Sequence, residues 1–226
     1  MFEKQPEAVR KKVKFLAELA IQRSDPSSWF ELLYAEAGGD SSQVPWARLS
    51  CHPYLQDWLK TNQIKVEEKS ALVIGCGLGD DAEALASQGF QVTAFDISPT
   101  AIAWCQERFS NSSVNYLVAD LLSLELSWHH SFDLVFESRN LQALPLSVRS
   151  KAIQAVASLV APRGTLLAIT RFRETEAEPD GPPWPLSDRE LTHFKEWGLL
   201  EIRRDQFSDA DNNSVKKLRI EYGSVH

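Results

Sequence analysis

Hydrophobic positions in the first quarter of the chain recur with helical spacing. Across residues 6–23, Val9, Val13, Leu16, Ala20 and Ile21 fall on one face, with Lys and Glu between them and Pro6 suited to a first turn. Ser24-Asp25-Pro26-Ser27 ends that helix and opens a second over residues 29–37. Gly38 to Ser42 read as a loop, and residues 53–60 as a third helix. From residue 71 the period changes. Short apolar runs at 71–74, 91–97, 114–118, 132–136 and 165–170 read as strands. Helical patterns at 80–88, 99–108 and 146–160 separate them, with Ser98 as N-cap and Pro99 at the first position of the second. Pro162-Arg163-Gly164 reads as a turn, residues 172–186 as a Pro-rich acidic loop, and 188–197 as a last helix. Two final apolar runs, 199–207 and 215–222, flank the turn-rich residues 208–213 and suit an antiparallel pair.

Strands and helices that alternate and then end in a strand pair predict an α/β fold. The expected architecture is a Rossmann-like, doubly wound, mostly parallel seven-stranded sheet with a C-terminal antiparallel pair. The chain reads as one domain over residues 1–226: a helical cover over 1–65 and a ligand-binding core over 66–226. No internal repeat interrupts it.

The first strand ends in Gly75-Cys76-Gly77-Leu78-Gly79-Asp80-Asp81, and the second ends in Asp96, 96 − 75 = 21 positions after the first glycine. This is the layout of a nucleoside-binding βαβ unit. Alternate glycines allow a sharp turn and a close backbone approach to a ligand. An acid at the end of the second strand can accept two hydrogen bonds from a ribose diol. A dinucleotide fingerprint would place its third glycine at position 80, which is Asp. The spacing therefore suits a nucleoside without a pyrophosphate, and S-adenosylmethionine is the leading candidate.

Composition narrows the partners. The 226 residues are 43% hydrophobic with a net charge of −7 and no dense basic run, which disfavours a nucleic-acid partner. Lys11-Lys12-Lys14 and Arg203-Arg204 are short and read as solvated faces. Three cysteines without a C-x-x-C pair suggest reduced thiols, and no His/Cys cluster has metal spacing. No apolar run reaches membrane-spanning length and no signal peptide opens the chain, so a cytoplasmic protein is expected, as monomer or weak homodimer, without metal.

The order G-x-G-x-G, acid, Ala119-Asp120, then Phe132-Asp133-Leu134-Val135-Phe136-Glu137 resembles the class I S-adenosylmethionine-dependent methyltransferases over residues 70–222. Four features resemble the thiopurine S-methyltransferase superfamily of thiol and halide methyltransferases more narrowly. They are the G-C-G-x-G-x-D segment, Val44-Pro45-Trp46 with Pro53 and Leu55, the N-terminal Trp29, and the Gly181-Pro182-Pro183-Trp184 loop. Two departures are visible. Val73-Ile74 lacks the acid many methyltransferases carry there, and Arg139 stands one position from the arginine of some relatives.

The resemblance implies a cofactor site of Trp46, Gly75, Cys76, Gly77, Gly79, Asp81, Asp96, Ile97, Asp120, Leu121 and Glu137. Asp96 takes the ribose, while Asp120 receives the adenine amine with Leu121 on the ring. Asp81 either holds the methionine ammonium or favours a helix N-terminus by its charge. Trp29, Trp46 and Trp184 are candidate acceptor contacts or wall packing, and Trp46 could also face the sulfonium. His52, Glu137 and Arg139 are the candidate catalytic groups, none of them assigned. Glu137 could equally be a structural salt bridge. The other histidines read as exposed loop residues, and Cys76 as a small filler. The expected reaction is methyl transfer to a small molecule, a thiol or similar soft nucleophile, since a thiol of pKa roughly 8.5 needs no strong base. An O- or N-methyltransferase using His52 or Glu137 as base, and a non-catalytic cofactor-binding protein, are the alternatives.

Overall fold

In the computed structural model, which describes residues 7–62, 69–209 and 212–225, seven strands form one sheet in the order β3-β2-β1-β4-β5-β7-β6. They are β1 (Ser70–Ile74), β2 (Gln91–Asp96), β3 (Asn115–Val118), β4 (Phe132–Ser138), β5 (Val160–Phe172), β6 (Leu199–Asp209) and β7 (Asn212–Ser224). The first five run parallel, and β7 runs antiparallel to both β5 and β6. This is the expected doubly wound sheet. Its order reverses between β1 and β4, the place where a crevice opens at the strands' C-terminal ends in such folds.

Side-chain alternation along each strand makes two cores. Leu72, Ile74, Val135, Leu166 and Ala168 point to one face, beneath α6 (Leu146–Ser158). Ala71, Val73, Leu134, Phe136 and Leu167 point to the other, where Leu55 and Trp58 of α3 (Pro53–Thr61) meet Ala82 and Leu85 of α4 (Asp80–Ser87). Ile102 and Cys105 of α5 (Pro99–Arg108) join the same cluster. The front section therefore divides. Its third helix covers a sheet face, while α1 (Glu7–Gln22) and α2 (Ser28–Ala37) form their own cluster around Val13, Ala17, Trp29 and Leu33. Pro6 lies outside the described residues.

The cover is docked through polar groups as well as packing. Glu31 of α2 accepts from the Ser98 hydroxyl (2.5 Å), the Thr100 amide (3.2 Å) and the Thr100 hydroxyl (2.7 Å) at the start of α5. Ser98 meanwhile caps that helix by accepting from the Ala101 amide. Burial pushes the Glu31 carboxyl up, but the hydrogen bonds from Ser98 and Thr100 outweigh it and hold the group below its ordinary value.

Three elements differ from their sequence pattern. The Pro162-Arg163-Gly164 turn is present, but inside β5. Phe132 pairs with Val160 and Leu134 with Thr165, so residues 161–164 bulge out where a proline's missing donor is tolerated. The last helix is α only over α7 (Asp188–Thr192) and tightens to a 3₁₀ turn from His193 to Trp197, ending at Gly198 with φ 79°. Finally, β6 and β7 extend into the connection read as a turn, with residues 210–211 outside the described part. Among the described residues, no helix is long and apolar enough to cross a membrane.

Arg149 of α6 ties this side together. Its side chain is 2% exposed, and it donates to the carbonyls of Leu144 (2.7 Å) and Trp184 (3.3 Å) and pairs with Glu190 at 3.0 Å. Glu190 keeps Arg173 as a partner at 2.6 Å, but Arg149→Ala takes the donor from two carbonyls and should lower the unfolding free energy by about 2 kcal/mol. Arg149→Met, which keeps the packing, should cost less. Urea denaturation of both variants checks this, and equal stability to the parent would contradict the role given to Arg149.

Candidate active site

The glycine turn after β1 alternates left-handed residues, with φ of 54° at Gly75, 56° at Gly77 and 88° at Gly79. Side chains are disfavoured in that region, which explains the residue type. The space the glycines free is used mainly by the protein itself. A Cβ on Gly75 would stand 1.9 Å from Asn140 Oδ1, and one on Gly79 would stand 2.6 Å from the Tyr116 hydroxyl. Asn140 in turn donates to the Ile74 carbonyl at 2.7 Å. The expectation that all three glycines clear room for a ligand is thus corrected at 75 and 79. Gly75 and Gly77 border the cavity described next, and Gly79 does not.

Asp96 closes β2 and is nearly buried, at 7% exposure. One carboxylate oxygen accepts from the Gly77 amide (2.9 Å) and the other from the Ser98 amide (3.0 Å). Burial raises its pKa to about 6, against the lowering effect of those amides, and nearby Glu31 raises it further. The Ile97 amide also acts on this carboxylate, in the same lowering direction.

Above the strand ends lies a cavity of about 220 Å³. Asp96, Ile97, Asp120 and Leu121 border it on the β2–β3 side, with Cys76 and Asp81 near its middle. Asp120 accepts from the Leu122 amide with one oxygen (2.8 Å). Asp81 accepts from the His52 amide at 2.6 Å, so it fastens the cover to the start of α4. Trp29, Phe30, Tyr34 and Trp46 form an aromatic wall from the cover. Trp46 meets Trp29 edge-on at 5.8 Å and donates to the Tyr34 hydroxyl at 2.7 Å. Both rings are therefore held by packing, whatever else they contact. The Cys76 thiol is raised well above its ordinary value by its hydrogen bond with Cys105, then by burial, which fits a filler more than a nucleophile.

The catalytic candidates separate. His52 and Arg139 border the cavity and touch each other, with Arg139 Nη2 2.8 Å from His52 Nε2. A guanidinium only donates, so the imidazole must accept there. Burial, then Arg139, Arg48 and Lys217, lowers the His52 pKa to about 2, so the ring stays neutral and is a poor base. Glu137 is fully buried and does not border the cavity. It accepts from the Asn140 (2.6 Å) and Leu141 (3.0 Å) amides, and burial raises it to about 7. It stands at the turn after β4, with Oε2 buried and without a hydrogen-bond partner. Arg139 holds φ 69°, an uncommon conformation for a side-chain-bearing residue, with its amide bonded to the Ile169 carbonyl at 2.9 Å. The loop tryptophan also moves out of the expected position. Trp184 packs with the α1–α2 cluster and leaves Pro182 and Pro183 to border the cavity. Gly181 allows this, since a Cβ there would stand 2.5 Å from the indole.

Several residues at the cavity carried no motif. Arg48, Tyr34, Asn140, Gln142 and Arg171 come from three distant stretches, and nothing in their local sequence marks them. Gln142 joins two of these stretches, its side chain accepting from the Arg171 amide (2.6 Å) and its carbonyl from the Trp184 amide (2.7 Å). Among the described residues, no group of three or more His, Cys, Asp or Glu is placed to hold a metal ion.

Comparison with known proteins agrees with this geometry. The family model described as thiopurine S-methyltransferase matches residues 39–224. A probable thiol methyltransferase 2 from Arabidopsis thaliana is 29% identical over 181 residues, covering 78% of this chain and 76% of the relative. A thiopurine S-methyltransferase from Aliivibrio salmonicida is 26% identical, covering 74% and 83%. Among solved structures, the N-methyltransferase NodS from Bradyrhizobium japonicum, in complex with S-adenosyl-L-homocysteine, superimposes with a TM-score of 0.66. It is 22% identical and covers 86% of this chain and 97% of its own. The magnesium protoporphyrin IX methyltransferase from Synechocystis gives the same TM-score at 16% identity, over 88% and 99%. The fold, the acid-ended βαβ unit and the match over most of the chain agree, and the chain belongs to the thiopurine S-methyltransferase family of S-adenosylmethionine-dependent methyltransferases.

Proposed function

We propose that this methyltransferase acts on a small thiol or another soft nucleophile. The observation that carries the reading is the character of the β4–β5 side of the cavity, which is cationic and lacks a usable base. Arg48, Arg139 and Arg171 border it, and His52 is held neutral against Arg139. An alcohol or amide acceptor needs a positioned base. A thiol does not, because cations nearby lower its pKa and favour the thiolate. The names of the thiol and thiopurine methyltransferases among its relatives support the same acceptor class.

The donor set fits the cofactor that the family implies. Asp96 is fixed by backbone amides on both oxygens and borders the cavity, and a carboxylate so placed suits the hydroxyls of a ribose. Asp120 stands beside it to take the adenine amine, with Leu121 against the ring. Trp46 offers an indole to a cation. When bound, S-adenosylmethionine supplies a methyl group already activated on a sulfonium and is left as S-adenosylhomocysteine. The protein's task is then to hold the acceptor in line and to exclude water. The aromatic wall and the Pro182–Pro183 segment, pinned through Trp184, serve exclusion. The arginines serve the acceptor's charge.

Asp96→Ala should weaken S-adenosylhomocysteine binding by about tenfold or more, since hydrogen bonds to a charged group are lost. Calorimetry that found parent-like affinity would remove Asp96 from the site. The parent protein should also bind more weakly as pH falls through about 6, because the ligand's hydroxyls donate to the ionised carboxylate and protonation removes that acceptor. The loss should approach about tenfold per pH unit at most and be flattened in Asp96→Asn. A flat parent profile between pH 5 and 7.5 would contradict this linkage. For the acceptor, S-adenosylhomocysteine release should follow addition of thiols and not of phenols or amines. Release with phenols or amines alone would favour an O- or N-methyltransferase.

A further inference from the structure

The two halves of the cavity carry opposite charge, and the sheet order explains why. Asp96 and Asp120 follow β2 and β3 on one side of the β1–β4 switch point. Arg139 follows β4 and Arg171 lies near the end of β5 on the other. Arg48, from the cover, joins the cationic side, where it and Arg171 both act on Arg139.

Two of these arginines, Arg48 and Arg139, are short of direct partners among the described residues. The Nε of Arg48 is buried without a hydrogen-bond partner. Neither Arg48 nor Arg139 has a carboxylate ion pair among the described residues, and Arg139 spends a donor on the His52 ring. Of the nearby acids, Asp80 is committed elsewhere, and Asp81 acts on Arg139 only at a distance. Asp80 forms a two-toothed pair with Arg108 at 2.9 and 3.0 Å, and Asp81 holds the His52 amide and the Cys51 thiol. Burial, followed by Arg48 and Arg171, lowers the Arg139 pKa to about 10, and the opposing pull of Asp81 does not outweigh them. Both arginines are half-buried, and cations withdrawn from water are ordinarily paired. Their planar donor forks match a carboxylate better than a single-atom anion.

We infer that the acceptor carries a carboxylate in addition to its nucleophile, and that Arg48 and Arg139 bind that carboxylate at the β4–β5 side of the cavity. The inference rests on the proposed thiol reading and adds the substrate's second group. A mercaptocarboxylate satisfies it, and a neutral thiol of the same shape does not. The thiol reaches the site of transfer while the carboxylate neutralises the arginines, so binding and orientation come from one contact.

The test compares 4-mercaptobenzoate with 4-mercaptobenzamide, using the full chain. Steady-state kcat/KM is measured for both thiols, and calorimetry follows both binding to protein loaded with S-adenosylhomocysteine. The acid should be preferred by about tenfold or more in each measurement, the effect of one charged hydrogen-bond pair. Arg48→Gln should shrink the preference to about threefold or less, with S-adenosylhomocysteine affinity retained, and Arg48→Lys should restore part of it by keeping the charge. Equal use and equal binding of acid and amide by the parent would overturn the inference and leave the thiol reading standing. Tight binding of the acid over the amide without turnover of either would uphold the carboxylate site and sink the thiol reading. If Arg48→Gln loses affinity for S-adenosylhomocysteine and leaves the acid preference intact, the arginine holds the cofactor's own carboxylate and the inference fails. Should Arg48→Gln not fold, the parent comparison and Arg48→Lys decide alone.

Discussion

A single buried carboxylate organises this molecule. Asp96 stands at the end of β2, where a charged group with no partners would be expensive, and it is satisfied by the backbone of two different segments. The Gly77 amide fixes the glycine turn above β1, and the Ser98 amide fixes the entry to α5. The amides only partly offset the desolvation, so the group stays ionised near neutral pH but sits close to its titration range. A carboxylate held in this way is fixed in position at the border of the cavity.

The same economy governs how the cover is attached. Glu31 reaches across to the N-terminus of α5, where its charge meets free amides and two hydroxyls. Asp81, in the first turn of α4, reaches the opposite way to the His52 amide. Carboxylates thus staple α2 and the start of α3 onto the core at two helix N-termini, and the aromatic wall is carried along with them. Several of this acidic chain's carboxylates are therefore used in joining its own parts. Asp80 is likewise taken up by Arg108, and neither Arg48 nor Arg139 forms a carboxylate ion pair among the described residues.

Placement also sorts residues that look alike in the sequence. Glu137 and Arg139 are two positions apart, yet one is sealed beneath the turn and the other faces the cavity. The reason is the left-handed backbone at Arg139, which redirects the chain directly after β4. His52 looks like a base until its surroundings are counted, since burial and then Arg139 and Arg48 oppose a positive charge on the ring. Trp184 has the composition of a ligand contact and instead anchors its loop to α1 and α2.

Local patterns sufficed for much of the fold. The strands of the parallel sheet, the Ser98 cap, the glycine turn and Asp96 are short-range features, because period, capping and left-handed geometry are properties of neighbouring residues. The boundaries that shifted are those set by partners far away. The bulge at residues 161–164 exists because β4 pairs on both sides of it, and β6 and β7 lengthen because they pair with each other. The cavity's charge pattern was the least legible feature. The chain has a net charge of −7 and no basic run, so Arg48, Arg139 and Arg171 are single residues in unremarkable contexts. Only the strand order brings two of them to one side of the switch point and lays the third over them. Charge is a long-range property of position in space, and sequence neighbours carry little information about it. The sequence alone determined that an α/β sheet with an acid-ended βαβ unit would form and where that acid would stand, while the tertiary structure decided which side chains share the cavity above the strand ends.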